Sequence, residues 1–259
     1  MKSDDVAGSS PAKTCREMRA IYLRSLALQA SWNPVRMQHL GLLTTLLPWF
    51  RRQDASRDEV RRFCRDHFGY FNTNPYLANY LVGGLIRLEN DSRNEGGGYA
   101  RTVRSFKESV GRALASIGDQ LFWLGLHPGL IVFSALLALT GVTWLPLVPF
   151  GVFAVGELVF RMRALTTGYR LGMDIVDLLG DSIWHRMILL CKRGGALLTG
   201  VLAGVTALGA AELAVVPESR GTALGVVLAC GLALALRRRA PGEYVLLLLV
   251  PLAMLLTDL

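Results

Sequence analysis

The chain has 259 residues, 52% of them hydrophobic, with 28 Lys and Arg against 20 Asp and Glu. Its mean hydropathy of +0.37, its 27 glycines and its long apolar runs argue against a water-soluble domain and for membrane embedding. The basic excess is lopsided: residues 1–112 hold 18 basic and 11 acidic side chains and residues 113–259 hold 10 and 9, so an anionic lipid surface fits the front portion better than nucleic acid does.

The opening stretch "MKSDDVAGSSPAKTC" is polar, lacks the apolar core of a signal peptide, and is expected to be disordered over 1–15. A basic amphipathic helical region follows over 16–71. A first helix from Arg16 is expected to break or kink near Trp32 and Asn33 because of Pro34, and a second to close at Pro48. Trp49 and Phe50 beside Arg51 and Arg52 suit a cytoplasmic membrane interface. Residues 56–71 give the cleanest helix. Ser56 and Glu59 form a capping box, and Val60, Phe63, Cys64, His67, Phe68 and Phe71 fall on one apolar stripe. On that stripe His67 is expected to be an interior histidine with its hydrogen bonds met.

Residues 72–128 are expected to form a hairpin core with polar tips. "FNTNPYLANYLVGGLIRLE" sets Asn72, Thr73 and Asn74 before a proline turn, and the apolar run behind it is too short for the roughly 20 residues of a helical crossing. That reads as a re-entrant hairpin, whose irregular backbone is tolerated where it lines a cavity. "ESVGRALASIGDQLFWLGLHPGL" repeats the grammar. Asp119 there is either an intramembrane carboxylate with a function or the N-cap of the next helix, and the two roles are compatible.

The rear, 129–259, is expected to hold transmembrane helices at about 129–144, 145–160, 195–216, 221–236 and 244–257. An amphipathic cytoplasmic segment over 164–190 interrupts them, its stripe formed by Leu165, Tyr169, Gly172, Val176, Leu179, Ile183 and Met187. Placing the basic clusters at 161–163, 192–193 and 237–239 inside gives a cytoplasmic N-terminal half. Glu157 and Glu212 are candidates for buried pairing. Cys15, Cys64, Cys191 and Cys230 show neither disulfide nor zinc spacing. No nucleophile, phosphate-loop or metal motif is present. Residue chemistry alone therefore describes an all-α membrane protein that binds or moves something polar, without catalytic residues, metal or cofactor.

Four stretches in order, "YLRSLALQASWNPVRMQHLGL", "YFNTNPYLANYLVGGLIRLE", "SIGDQLFWLGLHP" and "TTGYRLGMDIVDLLG", together resemble the IID component of the mannose/fructose/sorbose family of the bacterial sugar phosphotransferase system. The resemblance spans roughly residues 19–195. It implies a multi-pass protein of the bacterial inner membrane that pairs with a IIC protein, as a trimer of such pairs with an elevator-like moving part. The phosphate would be carried by soluble IIA and IIB proteins, and this chain would be neither phosphorylated nor an enzyme. It further implies that Asn72, Thr73, Asn74, Glu89 and Asp119 contact sugar, since amides and carboxylates fix hydroxyl geometry. Trp32, Asn33 and Gln38 would shape the N-terminal arm or a subunit contact, or else line the site. Three departures stand out: "GRALASIGD" lacks the family's Gly-Pro, Glu89-Asn90 replaces a Glu-Glu pair, and His127 stands where an arginine is common before Pro128. The alternative from another class is a non-transporting membrane scaffold or regulatory subunit that docks soluble phosphotransferase proteins on its basic face.

Overall fold

In the computed structural model the described residues are 11–50, 56–95 and 99–213, with side chains over 16–50, 56–91 and 101–206. They are almost wholly helical: α1 (Pro11–Ser25), α2 (His39–Phe50), α3 (Arg57–His67), α4 (Ala78–Glu95), α5 (Tyr99–Gly118), a π-helical stretch (Asp119–Leu126), α6 (His127–Ala138), α7 (Val148–Leu171), α8 (Ile175–Gly180) and α9 (Ser182–Leu213). Among the described residues only isolated bridges stand in for sheet, Asn33 with Met37 and Met37 with Phe71. Three continuous helical stretches among the described residues are long and apolar enough to cross a membrane: Arg101–Ala138, Leu145–Gly180 and Ser182–Thr206. The expected spans at 221–236 and 244–257, with Glu212 and Cys230, lie outside the described residues or side chains.

The chain divides into two compact units, one of residues 1–128 and 147–192, the other of 129–146 and 193–259. The first is organised on α4 and α7. Their backbones meet at glycines, because a Cβ on Gly83 would lie 2.2 Å from the Leu165 carbonyl oxygen and one on Gly168 would lie 2.1 Å from that of Tyr80. Small residues at a crossing let helices approach this closely. Leu77, Leu81, Val82, Leu85, Ile86, Leu165 and Ile175 are buried around that contact. In the second unit, α6 and α9 approach at Gly129 and Gly195, 3.7 Å from an added Cβ to Cα, and Ile131, Phe133, Leu197, Val201 and Val205 are exposed. Apolar side chains standing outward from long helices are what a lipid solvent requires.

Several elements differ from the sequence expectation, each for a local reason. Helix α1 begins at Pro11, earlier than expected, and α2 begins at His39 and not at Pro34. Between them the chain turns through Met37, whose φ of 55° is strained for a side chain with a Cβ, at a cost of roughly 1–2 kcal/mol. Pro48 lies inside α2, which runs on to Phe50. Trp49 and Phe50 are core residues, 3% and 4% exposed, with Phe50 stacked on Phe63 at 4.1 Å, and do not form a membrane interface. Asp119 does not break a helix: α5, the π-helical stretch and α6 run on without interruption.

The expected amphipathic segment 164–190 is likewise no separate element, but is divided among α7, α8 and α9. Its stripe holds through Leu165 and Gly172, then slips one residue back at Ile175 and, beyond the extended Asp181, one residue forward at Trp184 and Ile188. Ile175, Trp184 and Ile188 are buried, whereas Val176, Ile183 and Met187 are exposed. The backward slip follows a 3₁₀ turn at Gly172–Asp174, entered at Gly172 with φ of 56°, and the forward one follows the break between α8 and α9. A 3₁₀ turn advances fewer residues per revolution and shifts the helical phase.

Candidate functional site

Residues 72–77 form an irregular tip ahead of α4. Thr73 is 3% and Asn74 1% exposed, so their polar groups need protein partners. Gln38 supplies two, its Nε2 donating to the Thr73 carbonyl at 2.9 Å and its Oε1 accepting from the Thr73 amide at 3.1 Å. The Thr73 hydroxyl donates to the Gly111 carbonyl at 3.0 Å. Asn74 Oδ1 accepts from the Tyr76 amide at 3.1 Å, closing a turn in the manner typical of an asparagine side chain. Its Nδ2 donates to Asp119 Oδ1 at 2.9 Å. This last bond needs Gly118, since a Cβ there would lie 2.3 Å from Asn74.

Asp119 opens the eight-residue π-helical stretch, a rare geometry that recurs at functional sites. The wider helix carries Asp119 and Trp123 outward, both exposed, while Phe122 is buried. Beside them stands an aromatic wall. Tyr76 stacks on Phe122 at 4.4 Å, and its hydroxyl meets His127 Nε2 at 3.2 Å. Trp123 and Phe153 set their ring edges against His127 at 4.8 and 5.1 Å. The Arg161 guanidinium lies over the Tyr76 ring at 5.1 Å and pairs with Glu157 one turn back on α7, which realises the buried pairing expected of Glu157. Asn79 donates to the Arg161 carbonyl at 3.0 Å. The tip is thus pinned to α5 and α7 from below, leaving Asn72, Asp119 and Trp123 as an open polar and aromatic face.

The predicted site residues therefore divide. Asn74 meets Asp119, Thr73 is tied to Gly111 earlier on α5, and Asn72 and Asp119 are exposed. Glu89 does not join them. It lies 11 residues into α4 from Ala78, about 16 Å along the helix axis, and takes His67 Nε2 at 2.9 Å. Gln38 is a brace beneath the tip. Asn33 holds the preceding turn, its Oδ1 accepting from the amides of Val35 and Arg36 at 3.2 and 2.9 Å, and Trp32 is exposed. Sequence reasoning missed Tyr76, Trp123 and His127 as members of the face. The signal was there in the "DQLFWLGLHP" spacing, but only the π-helical phase shows which of its aromatics point outward. Two departures from the family pattern are partnered in this fold. His127 meets Tyr76, and Asn90 accepts from Trp49 Nε1 at 3.2 Å while donating to the Tyr169 hydroxyl at 3.1 Å. A carboxylate at position 90 could not make that second bond as donor.

Comparison with known proteins agrees with this architecture. The family model described as the IID component of the mannose/fructose/sorbose family of the phosphotransferase system matches residues 14–211. The chain belongs to that family. It is 31% identical over 175 residues to the mannose-specific EIID component of Escherichia coli K12, covering 67% of this chain and 62% of that protein. It is 28% identical over 171 residues to the fructose permease IID component of Bacillus subtilis 168, 66% of this chain and 62% of the relative. The IID chain thus spans somewhat under two thirds of the length of these relatives. A cryo-electron microscopy structure of the mannose transporter ManYZ with microcin E492 superposes with a TM-score of 0.59 at 27% identity, over 76% of this chain and 70% of the other. A second membrane-protein structure reaches 0.65 at 28% identity, over 73% and 69%.

Proposed function

We propose that the protein is the IID subunit of a sugar transporter of this family, and that the tip face takes part in binding the sugar. The observation that carries the reading is the Asn74–Asp119 hydrogen bond, which fixes an exposed carboxylate in a π-helical turn that also exposes an indole, Trp123, while Asn72 is exposed on the same irregular tip. Carboxylate and amide groups order sugar hydroxyls by accepting and donating in fixed directions, and an aromatic face packs against the C–H side of a pyranose ring. Thr73, Asn74 and Gln38 position the face from beneath. Glu89, expected at the sugar, serves the far end of α4 in this reading.

The transport role implies a IIC membrane partner, in keeping with the two-component name of the superposed ManYZ transporter. Trp32 and the strained turn at Met37, outward on the N-terminal arm, suit that contact. Exchange of phosphate with soluble IIA and IIB proteins, a trimer of IIC–IID pairs, residence in the bacterial inner membrane and a cytoplasmic N-terminus complete the proposal. The basic excess of residues 1–112 supports that orientation. Catalysis of phosphoryl transfer is assigned to the soluble partners and not to this chain.

Calorimetry on the chain co-purified with its IIC partner, titrated with mannose, fructose and sorbose, tests the reading. Saturable binding of at least one sugar, weakened about tenfold by Asn72→Ala, or about 1.4 kcal/mol, is expected, because Asn72 is exposed and its loss leaves the fold intact. An assembled complex that binds none of the three, or an Asn72→Ala complex that binds as well as wild type, would remove the tip from the sugar site.

A further inference from the structure

At the opposite end of α4 from the tip lies a cleft of about 260 Å³, lined by Asp66, Glu89, Arg101, Val103 and Arg104. Arg101 and Arg104 are three residues apart on α5 and so share one face of its first turns. Charges of both signs converge here, yet neither arginine forms an ion pair with a described carboxylate; the pairs among the described side chains are Arg61–Asp58, His67–Glu89, Arg87–Asp91 and Arg161–Glu157. Behind the cleft stand two buried cation-capable groups. Lys107 is 4% exposed and donates to the Asp66 carbonyl at 3.1 Å. His67 is wholly buried, with Nε2 on Glu89 and no partner for Nδ1.

We infer that this cleft binds a small organic phosphate whose body carries hydroxyl groups. Two guanidinium forks that no described carboxylate occupies match the oxygens of a phosphate group, and Lys107 adds positive potential from behind. Asp66 and Glu89 accept and do not donate when ionised, so bare phosphate beside them would be repelled. A hydroxyl-bearing body can donate to them and holds the phosphate toward the arginines. The volume lies at or below the roughly 300 Å³ where ligand pockets begin, which suits a single sugar ring with its phosphate and excludes a nucleotide. The inference uses none of the tip residues and stands whether or not the tip binds sugar.

The test is calorimetry on the full-length purified protein with glucose 6-phosphate, inorganic phosphate and glucose, and with phosphatidylglycerol vesicles as a lipid source of phosphate. Glucose 6-phosphate is expected to bind saturably, at least tenfold more tightly than inorganic phosphate and than glucose. Arg104→Ala and Asp66→Asn, both substitutions at the cleft, are each expected to weaken it tenfold, whereas Asp119→Asn at the tip leaves it unchanged. The assignment is overturned if glucose 6-phosphate gives no saturable heat, if inorganic phosphate binds equally well, or if Arg104→Ala binds as wild type does. It is overturned equally if Asp119→Asn abolishes binding, or if the vesicles displace glucose 6-phosphate at a lower phosphate concentration.

Discussion

The two ends of α4 carry the same kind of device, a carboxylate held by a neighbouring nitrogen, and put it in opposite surroundings. At the start of the helix Asn74 is buried but its partner Asp119 is exposed, so one carboxylate oxygen is fixed by protein and the group still faces outward. Further along, His67 is wholly buried and the Glu89 side chain is 18% exposed, with His67 tilted against Phe63 at 4.5 Å. The first arrangement orients a group toward something else, and the second ties α3 to α4. The tip carboxylate is therefore open to a ligand, whereas Glu89 is bound to α3 even as it lines the neighbouring cleft.

The largest effect is expected from breaking the link on which both ends depend. Gly83→Ala would drive a methyl group to 2.2 Å from the Leu165 carbonyl and 2.5 Å from the Tyr169 amide nitrogen. Backbone atoms cannot rotate away as a side chain can. Overpacking costs typically 1–3 kcal/mol and more where nothing relaxes, so little folded protein should survive gel filtration in detergent. Recovery of wild-type yield would mean that α4 and α7 can separate without harm.

Removing the second pair should act on stability and leave sugar affinity at the tip unchanged. His67→Ala leaves a cavity among Phe63 and its neighbours and deletes the hydrogen bond to Glu89, at an expected cost of about 2–4 kcal/mol. Thermal unfolding of the purified protein measures it, and the sugar affinity of what remains folded should stay within twofold of wild type. A large loss of sugar affinity with little loss of stability would reverse the roles assigned to the two ends.

How far these roles were legible in the sequence differs between the same two regions. The helix leading to His67 was readable in detail. Its capping box is formed, with the Ser56 amide donating to Glu59 Oε2 at 2.7 Å and the Glu59 amide to Ser56 Oγ at 3.3 Å. Phe63, His67 and Phe71 of the stripe are buried, whereas Phe68, past the helix end at His67, is exposed and His67 Nδ1 lacks the expected partner. Local periodicity and capping decide such an element, and both are written within a dozen residues. The tip was half legible. Asn-Thr-Asn-Pro announced a turn, but its grouping with Asp119 depends on a contact 45 residues apart and on Gly118 having no side chain. Trp123 and His127 depend on a π-helical phase that no hydrophobic period predicts. The slip after Gly172 is equally hidden, since a positive φ and a 3₁₀ turn moved Val176 off the stripe drawn through Leu165, although Leu179 still packs on the core. Trp49 and Phe50, flanked by two arginines, carried the composition of a membrane interface. Their burial on Phe63 is a tertiary choice that flanking charge does not reveal.

At the tip the substitution that separates orientation from charge is Asp119→Asn. An amide oxygen at position 119 still accepts from Asn74 Nδ2, so unfolding should shift by less than about 1 kcal/mol, the net worth of an ordinary hydrogen bond. Sugar affinity should fall about tenfold, because hydrogen bonds to an ionised acceptor are roughly twice as strong as neutral ones. If affinity holds while stability drops, Asp119 is a structural partner of the tip like Glu89 of α3, and the contrast between the two ends disappears.

The smallest expected effect is also the most discriminating, because it concerns a residue with no structural duty. Trp123 is 45% exposed, and its ring lies edge-on to His127 at 4.8 Å and tilted against Tyr76 at 5.7 Å. Trp123→Ala should leave thermal unfolding within about 0.5 kcal/mol of wild type, as surface substitutions usually do. If the indole packs on a sugar ring, its loss should cost about 1 kcal/mol of binding, close to fivefold in affinity, and Trp123→Phe should restore most of it. Equal loss in both variants would point to the indole N–H as a hydrogen-bond donor. No loss in either would leave the face polar, and recognition would then rest on Asn72 and Asp119 alone.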